Sequence, residues 1–130
     1  MPQMAMKHDV DPALEIKQAI GDISKYKIFG NYVLLGIYKR PEKTKSGIVL
    51  ADITRKEDEY QGKAALVLKK GPLAFVSDEH YDFKGQNVEV GDWVAIFVSD
   101  GRKVVINKQL CRLVEDHHIR MGIPAPDEVF

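Results

Sequence analysis

A series of short apolar runs, separated by glycine, proline and aspartate, fills the chain from Lys27 onward. Runs of about four to eight residues bounded in this way are typical of β-strands, because helices show longer stretches of 3.6-residue periodicity. The pattern therefore predicts a small all-β unit. The runs are Tyr32–Tyr38, Ala64–Leu68, Trp93–Val98, Lys103–Ile106 and Leu110–Val114.

The run Trp93–Val98 is apolar on both faces of the predicted strand. Alternate side chains of a strand point to opposite faces, and a sheet with one face in water would carry polar residues at every second position. The second face is therefore covered either by another part of the chain or by another copy of it. We predict an interface between copies. The residues assigned to this subunit interface are Trp93, Val94, Ile96 and Val98.

The N-terminal stretch 1–27 carries helix signals instead. Asp11 is a suitable N-cap, Pro12 stands at the first helical position, and Gly21 follows the end of the pattern. One narrow apolar stripe at helical spacing consists of Ala13, Ile16 and Ile20. The pattern predicts a short amphipathic helix that packs on its own domain or on a neighbour.

Two segments lack the character of core strands. In the first, Ile48, Val49 and Leu50 stand isolated between a polar stretch with proline and glycine and the charge-dense stretch 54–60, which predicts a long loop. The second lies between Gly71 and Val90 and is expected to leave the sheet as a hairpin of its own.

The charge balance and the single cysteine limit the possible functions. The chain has 19 Lys+Arg and 19 Asp+Glu residues, so no overall field attracts it to nucleic acid or to an anionic membrane. Cys111 has no cysteine partner for an internal disulfide, which is compatible with a reducing cytosol. No apolar run approaches the length of about 18 residues that suggests a membrane span. We expect a soluble, cytoplasmic protein that binds neither nucleic acid nor membrane.

Catalytic and metal chemistry are not predicted. His117 and His118 stand beside Glu115, but adjacent residues of a strand point to opposite faces, so the two imidazoles would not share one ion if this segment is a strand. Cys111 lies in an apolar run without an activating partner in sequence, and no glycine-rich nucleotide-binding turn is present. We expect no enzymatic activity, no metal and no cofactor.

An ordered set of motifs resembles the GroES-type co-chaperonins. The set comprises Thr44–Leu50, Gly62, Gly71, Val90–Val94, and Leu113–Asp116 followed by Ile119. The resemblance covers roughly 28–119 and implies a GroES-like β-barrel there, with a mobile loop at 41–61 and a roof-like hairpin at 72–89. The tail 120–130 contains two prolines, which argue against regular pairing, and is expected to be an arm.

The resemblance also implies a function. Members of the family form rings, usually heptamers, that cap a GroEL-type chaperonin and assist ATP-dependent protein folding, while the partner handles ATP. The docking residues implied in this chain are Gly47, Ile48, Val49 and Leu50.

Some features depart from the family pattern. The stretch 28–32 lacks the Asp-Arg pair usual at the first strand, and the extensions 1–27 and 120–130 are additional. These additions are similar to those of divergent members encoded by bacteriophages and prophages. The alternative function is therefore a GroES-fold structural protein of a bacteriophage particle, in its capsid, neck or tail, located in the virion with other virion proteins as partners.

Overall fold

The computed structural model describes residues 10–39, 63–97 and 99–128. In these ranges the chain forms one short α-helix and a six-stranded antiparallel sheet, so the predicted all-β fold with a short N-terminal helix is confirmed. The elements are α1 (Pro12–Ile20), β1 (Tyr32–Ile37), β2 (Ala64–Lys70), β3 (Trp93–Ala95), β4 (Arg102–Ile106), β5 (Gln109–Glu115) and β6 (Met121–Ile123). Two turns of 3₁₀ helix, η1 (Asp116–His118) and η2 (Pro126–Glu128), follow β5 and β6. None of the helices in the described ranges has the length and apolar character needed to cross a membrane.

The strand order is β4-β5-β1-β2-β3-β6, so β1 and β2 lie at the centre of the sheet. Both faces of the sheet are packed against apolar side chains of the same chain. The first-face cluster consists of Val33, Leu35, Ile37, Ala65, Val67, Val94, Ile96 and Val114. The second-face cluster consists of Ile16, Ile20, Leu34, Leu66, Leu68, Ile106 and Cys111. Because Ile16 and Ile20 lie on α1, the helix covers the second face of the central strands.

Helix α1 begins and ends as the sequence predicts. The Ala13 N–H donates to the Asp11 carboxylate at 3.0 Å, and the Gly21 N–H donates to the Lys17 carbonyl at 3.0 Å. The helix lies so close to β1 that a Cβ atom placed on Gly36 would come within 2.7 Å of Ile16 Cγ2. The absence of a side chain at Gly36 therefore allows α1 to approach β1 this closely.

The segment between β2 and β3 leaves the sheet, but it contains turns rather than the predicted hairpin of paired strands. It is fixed at its start by Gly71, where an added Cβ would lie 2.4 Å from the Gly30 carbonyl oxygen. Inside the segment, Phe75 and Phe83 pack edge to face with ring centroids 5.3 Å apart. Short turns and aromatic packing thus replace a strand ladder here.

The chain after Ile119 is not wholly an arm. Residues Met121–Ile123 form β6 and pair with β3 in the register Trp93↔Ile123, so the expectation that regular pairing stops before residue 120 is wrong. The prolines that suggested an arm, Pro124 and Pro126, come only after this pairing has ended. Proline excludes ladder bonds at its own position and leaves the preceding residues free to pair.

Candidate functional site

The segment that carries the predicted docking residues leaves and re-enters the sheet at two neighbouring strands. β1 and β2 are antiparallel partners, and beyond the end of β1 the Tyr38 N–H donates to the Ala64 carbonyl at 3.0 Å. The two ends of the intervening segment are therefore held side by side. The predicted docking residues Gly47, Ile48, Val49 and Leu50 lie between these ends and outside the described residues.

Aromatic packing anchors this loop base, which we define by Tyr38 and Ala64. The Tyr38 side chain is 2% exposed, and its ring meets the Trp93 ring edge to face at a centroid distance of 6.0 Å. Tyr38 and Ala64 also form a small buried cluster with Ile123 of β6. Strands β3 and β6 thereby contribute the side chains, Trp93 and Ile123, that pack against the loop base.

A groove of about 470 Å³ lies beside the loop base. Its apolar lining includes Ile16 and Ile37, so it runs between α1 and the end of β1. Among the charged residues that line it are Lys39, Lys103, Lys108 and Glu15. An apolar floor with mainly basic groups around it favours neutral or acidic partner groups over basic ones.

The residues predicted to form a subunit interface have different positions. Val94 and Ile96 are 0% and 3% exposed and belong to the first-face cluster within the chain. Trp93 is half-buried against Tyr38 and keeps more exposed surface than either of them, whereas Val98 lies outside the described residues. A single chain shows no contacts between copies, so the interface stays a prediction.

A buried carboxylate joins three parts of the chain at the far end of β5. Asp116 is 3% exposed, and its side chain accepts hydrogen bonds from Asn31 Nδ2 at 3.1 Å and from the Phe75 N–H at 2.9 Å. The Asp116 N–H in turn donates to the Asn31 carbonyl at 3.0 Å. Sequence reasoning missed this role, because an Asp after an apolar run predicts an exposed strand end. Its partners are far away in the chain and leave no local signal.

The two adjacent histidines do not lie in a strand. β5 ends at Glu115, and η1 turns the chain so that the imidazole rings of His117 and His118 have centroids 4.6 Å apart. The expectation that the two imidazoles point to opposite faces of a strand is therefore wrong for this segment. Glu115, His117 and His118 each offer a ligand atom, and these atoms lie within 4.8 Å of one another.

Comparison with known protein families agrees with this architecture. The family described as Chaperonin 10 Kd subunit matches residues 25–123, which run from just after α1 to the end of β6. A search of curated proteins found no significant match. Similarity to bacteriophage or prophage members is not tested by these comparisons and stays a prediction. The match spans most of the chain, and the chain therefore belongs to the Chaperonin 10 Kd subunit family, the GroES-type co-chaperonins.

Proposed function

We propose that this co-chaperonin forms a ring and caps a GroEL-type chaperonin through Ile48, Val49 and Leu50, with Gly47 before them. Family membership supports co-chaperonin function, oligomerisation and a GroEL-type partner in general terms. The observation that carries the more specific proposal is the loop base. Because the Tyr38 N–H bonds the Ala64 carbonyl, every subunit would present its docking segment from the same fixed point of the sheet.

The energetics favour a ring over a single subunit. Burying three aliphatic side chains contributes about 1.5 to 3 kcal/mol for each. Association itself costs on the order of 4 to 15 kcal/mol in lost translational and rotational freedom. One subunit would therefore bind weakly, whereas several triplets on one ring, heptameric in our proposal, bind together at high effective concentration.

This function places no catalytic demand on the chain. In the proposed cycle the partner chaperonin binds and hydrolyses ATP in the cytoplasm, and the ring binds or leaves as the partner changes conformation. The contribution of this chain is a multivalent apolar contact. It needs no enzymatic activity and no cofactor for that role.

The test follows complex formation between the purified full chain and a GroEL-type chaperonin, with ATP, with ADP and without nucleotide, by size-exclusion chromatography. Nucleotide-dependent co-elution is expected, and its absence would refute the proposal. Val49→Asp should abolish co-elution, because a buried carboxylate without a partner is strongly unfavourable.

A matched control separates the docking segment from the rest of the surface. Val90 is 57% exposed outside this segment, so Val90→Asp should leave co-elution unchanged. Native mass spectrometry of each variant reports the oligomer. Equal loss of binding in both variants, or loss of the oligomer in Val49→Asp alone, would contradict the assignment of the triplet to docking.

A further inference from the structure

The end of β5 brings together two imidazoles and a carboxylate. The Glu115 Oε2 atom lies 3.5 Å from His117 Nε2 and 4.0 Å from His118 Nε2. The three side chains are 39%, 34% and 21% exposed, so an ion from solvent can reach them. We propose that Glu115, His117 and His118 form a binding site for a divalent transition metal, with Zn²⁺ as the expected ion.

The donor set matches the chemistry of zinc. Two histidines with one glutamate and an open fourth position are a known ligand set for Zn²⁺, at metal–ligand distances of about 2.0 to 2.2 Å. Neighbouring ligand atoms in a tetrahedral site of that size are separated by about 3.3 to 3.5 Å. The distance from Glu115 Oε2 to His117 Nε2 is already 3.5 Å, whereas His118 Nε2 lies 4.0 Å from the same oxygen and must approach it by about 0.5 Å for tetrahedral coordination.

A second carboxylate, that of Asp116, lies beside the ligand His117. The Asp116 Oδ1 atom lies 3.6 Å from His117 Nδ1, on the ring nitrogen opposite the proposed ligand atom. A small rotation of the His117 ring would bring its Nδ1–H within hydrogen-bond distance of this carboxylate, and that bond would fix the ring and make the metal-binding nitrogen more basic. Asp116 is itself held by Asn31 and by the Phe75 N–H, so its position is independent of any ion.

The third ligand couples binding to a local rearrangement. His118 Nδ1 accepts a hydrogen bond from the Glu115 N–H at 3.1 Å, which places the proton of the neutral ring on Nε2. Coordination through Nε2 moves that proton to Nδ1. The His118 Nδ1–H and the Glu115 N–H are then both donors and face each other. Metal binding therefore breaks the hydrogen bond to the Glu115 amide, which gives the bound state a specific signature.

A cavity borders one of the three proposed ligands. This cavity of about 530 Å³ is lined by His117 together with Tyr81 and His80 of the segment between β2 and β3. The Tyr81 and His117 rings lie 5.5 Å apart. An ion at His117 would therefore sit where this segment packs against η1.

The test uses tag-free full-length protein, freed of metal with a chelator, at about pH 7.5, where an ordinary histidine is mostly neutral. Isothermal titration with ZnCl₂ should show one ion per chain with a Kd of about 10 µM or below. His117→Ala and Glu115→Gln should each weaken binding by at least about tenfold. Backbone NMR should show the Glu115 amide among the most strongly shifted signals on Zn²⁺ addition, and an unshifted amide would contradict the proposed coordination.

The remaining histidines provide matched controls. The chain has four histidines, and His80 is 85% exposed in a similar pair with Glu79, whose carboxylate lies 3.4 Å away. His80→Ala and His8→Ala should leave the affinity within about twofold of the original. Circular dichroism confirms that each variant is folded. Binding that is no tighter than about 100 µM, or that falls equally in the control variants, would overturn the proposal and indicate non-specific surface association.

Discussion

The close contact between α1 and β1 predicts strong thermodynamic coupling between Ile16 and Gly36. Ile16 is 5% exposed, so Ile16→Ala should destabilise the protein by about 2 to 5 kcal/mol. Gly36→Ala places a Cβ atom 2.7 Å from Ile16 Cγ2, and forcing these atoms apart should cost about 1 to 3 kcal/mol. Each single change is therefore expected to be harmful.

The double variant should behave differently. Ile16→Ala removes the Cγ2 atom that the new Cβ would meet, and the next contact, Leu68 Cδ1 at 3.1 Å, is the end of a flexible side chain. Alanine in a strand is also favoured over glycine by about 0.5 to 1 kcal/mol. Gly36→Ala should thus be nearly neutral once Ile16 is alanine, which gives a coupling free energy of about 1 to 3 kcal/mol.

Urea unfolding followed by fluorescence of the single tryptophan, Trp93, measures each free energy of unfolding. All variants are compared at equal protein concentration, because oligomerisation shifts apparent stability. Leu14→Ala is the control, since Leu14 lies on the same helix but is 47% exposed. Free energies that add within about 0.5 kcal/mol, or a Leu14→Ala cost equal to that of Ile16→Ala, would refute the packing of α1 on the sheet.

Two further predictions follow from single residues. Gly71→Ala should destabilise the protein by about 3 kcal/mol, because the added Cβ meets the Gly30 carbonyl oxygen at 2.4 Å. The control is Gly122→Ala, which should change the free energy of unfolding by less than about 0.5 kcal/mol because no atom lies within 4 Å of its Cβ. Thermal unfolding of both variants checks this prediction. Burial raises the pKa of the Cys111 thiol from 9.0 to about 11, so the unfolded chain loses this proton first and stability should fall as pH rises from 9.0 to about 11. Urea unfolding of the original protein and of Cys111→Ala across this range should show a steeper fall in the original, and parallel curves would contradict the prediction.

Local patterns predicted the regular elements well. The caps of α1 and the positions of β1, β2, β4 and β5 follow from residues adjacent in the chain, because capping groups and apolar runs act over a few positions. Strand β3 is shorter than the predicted run Trp93–Val98 and ends at Ala95, where its antiparallel partner β2 begins at Ala64. The end of a strand thus depends on its partner as well as on its own sequence.

The features that sequence reasoning missed depend on distant contacts. Asp116 is buried because Asn31 and the Phe75 N–H supply its hydrogen bonds, and these residues lie far from it in the chain. The approach of His117 to His118 depends on the change from strand to 3₁₀ helix after Glu115, which apolar periodicity does not reveal. Strand β6 has only three residues and is followed at once by Pro124, so its local sequence suggests an arm, and it is its pairing with β3 that makes it a strand.

The position of α1 has a consequence for how copies of the chain meet. The sequence pattern predicts an interface between copies at the run Trp93–Val98, whereas the second face of the central strands is covered within the chain by Ile16 and Ile20 of α1. In the described part of the chain β4 and β6 are the edges of the sheet, and both carry exposed apolar side chains, Val105 at 65% and Met121 at 49%. Edge strands offer unpaired backbone groups to a neighbour, whereas fully packed strands do not. Backbone pairing between copies is therefore expected at these two edges, in addition to the predicted interface around Trp93–Val98, with α1 retained as part of each subunit's core.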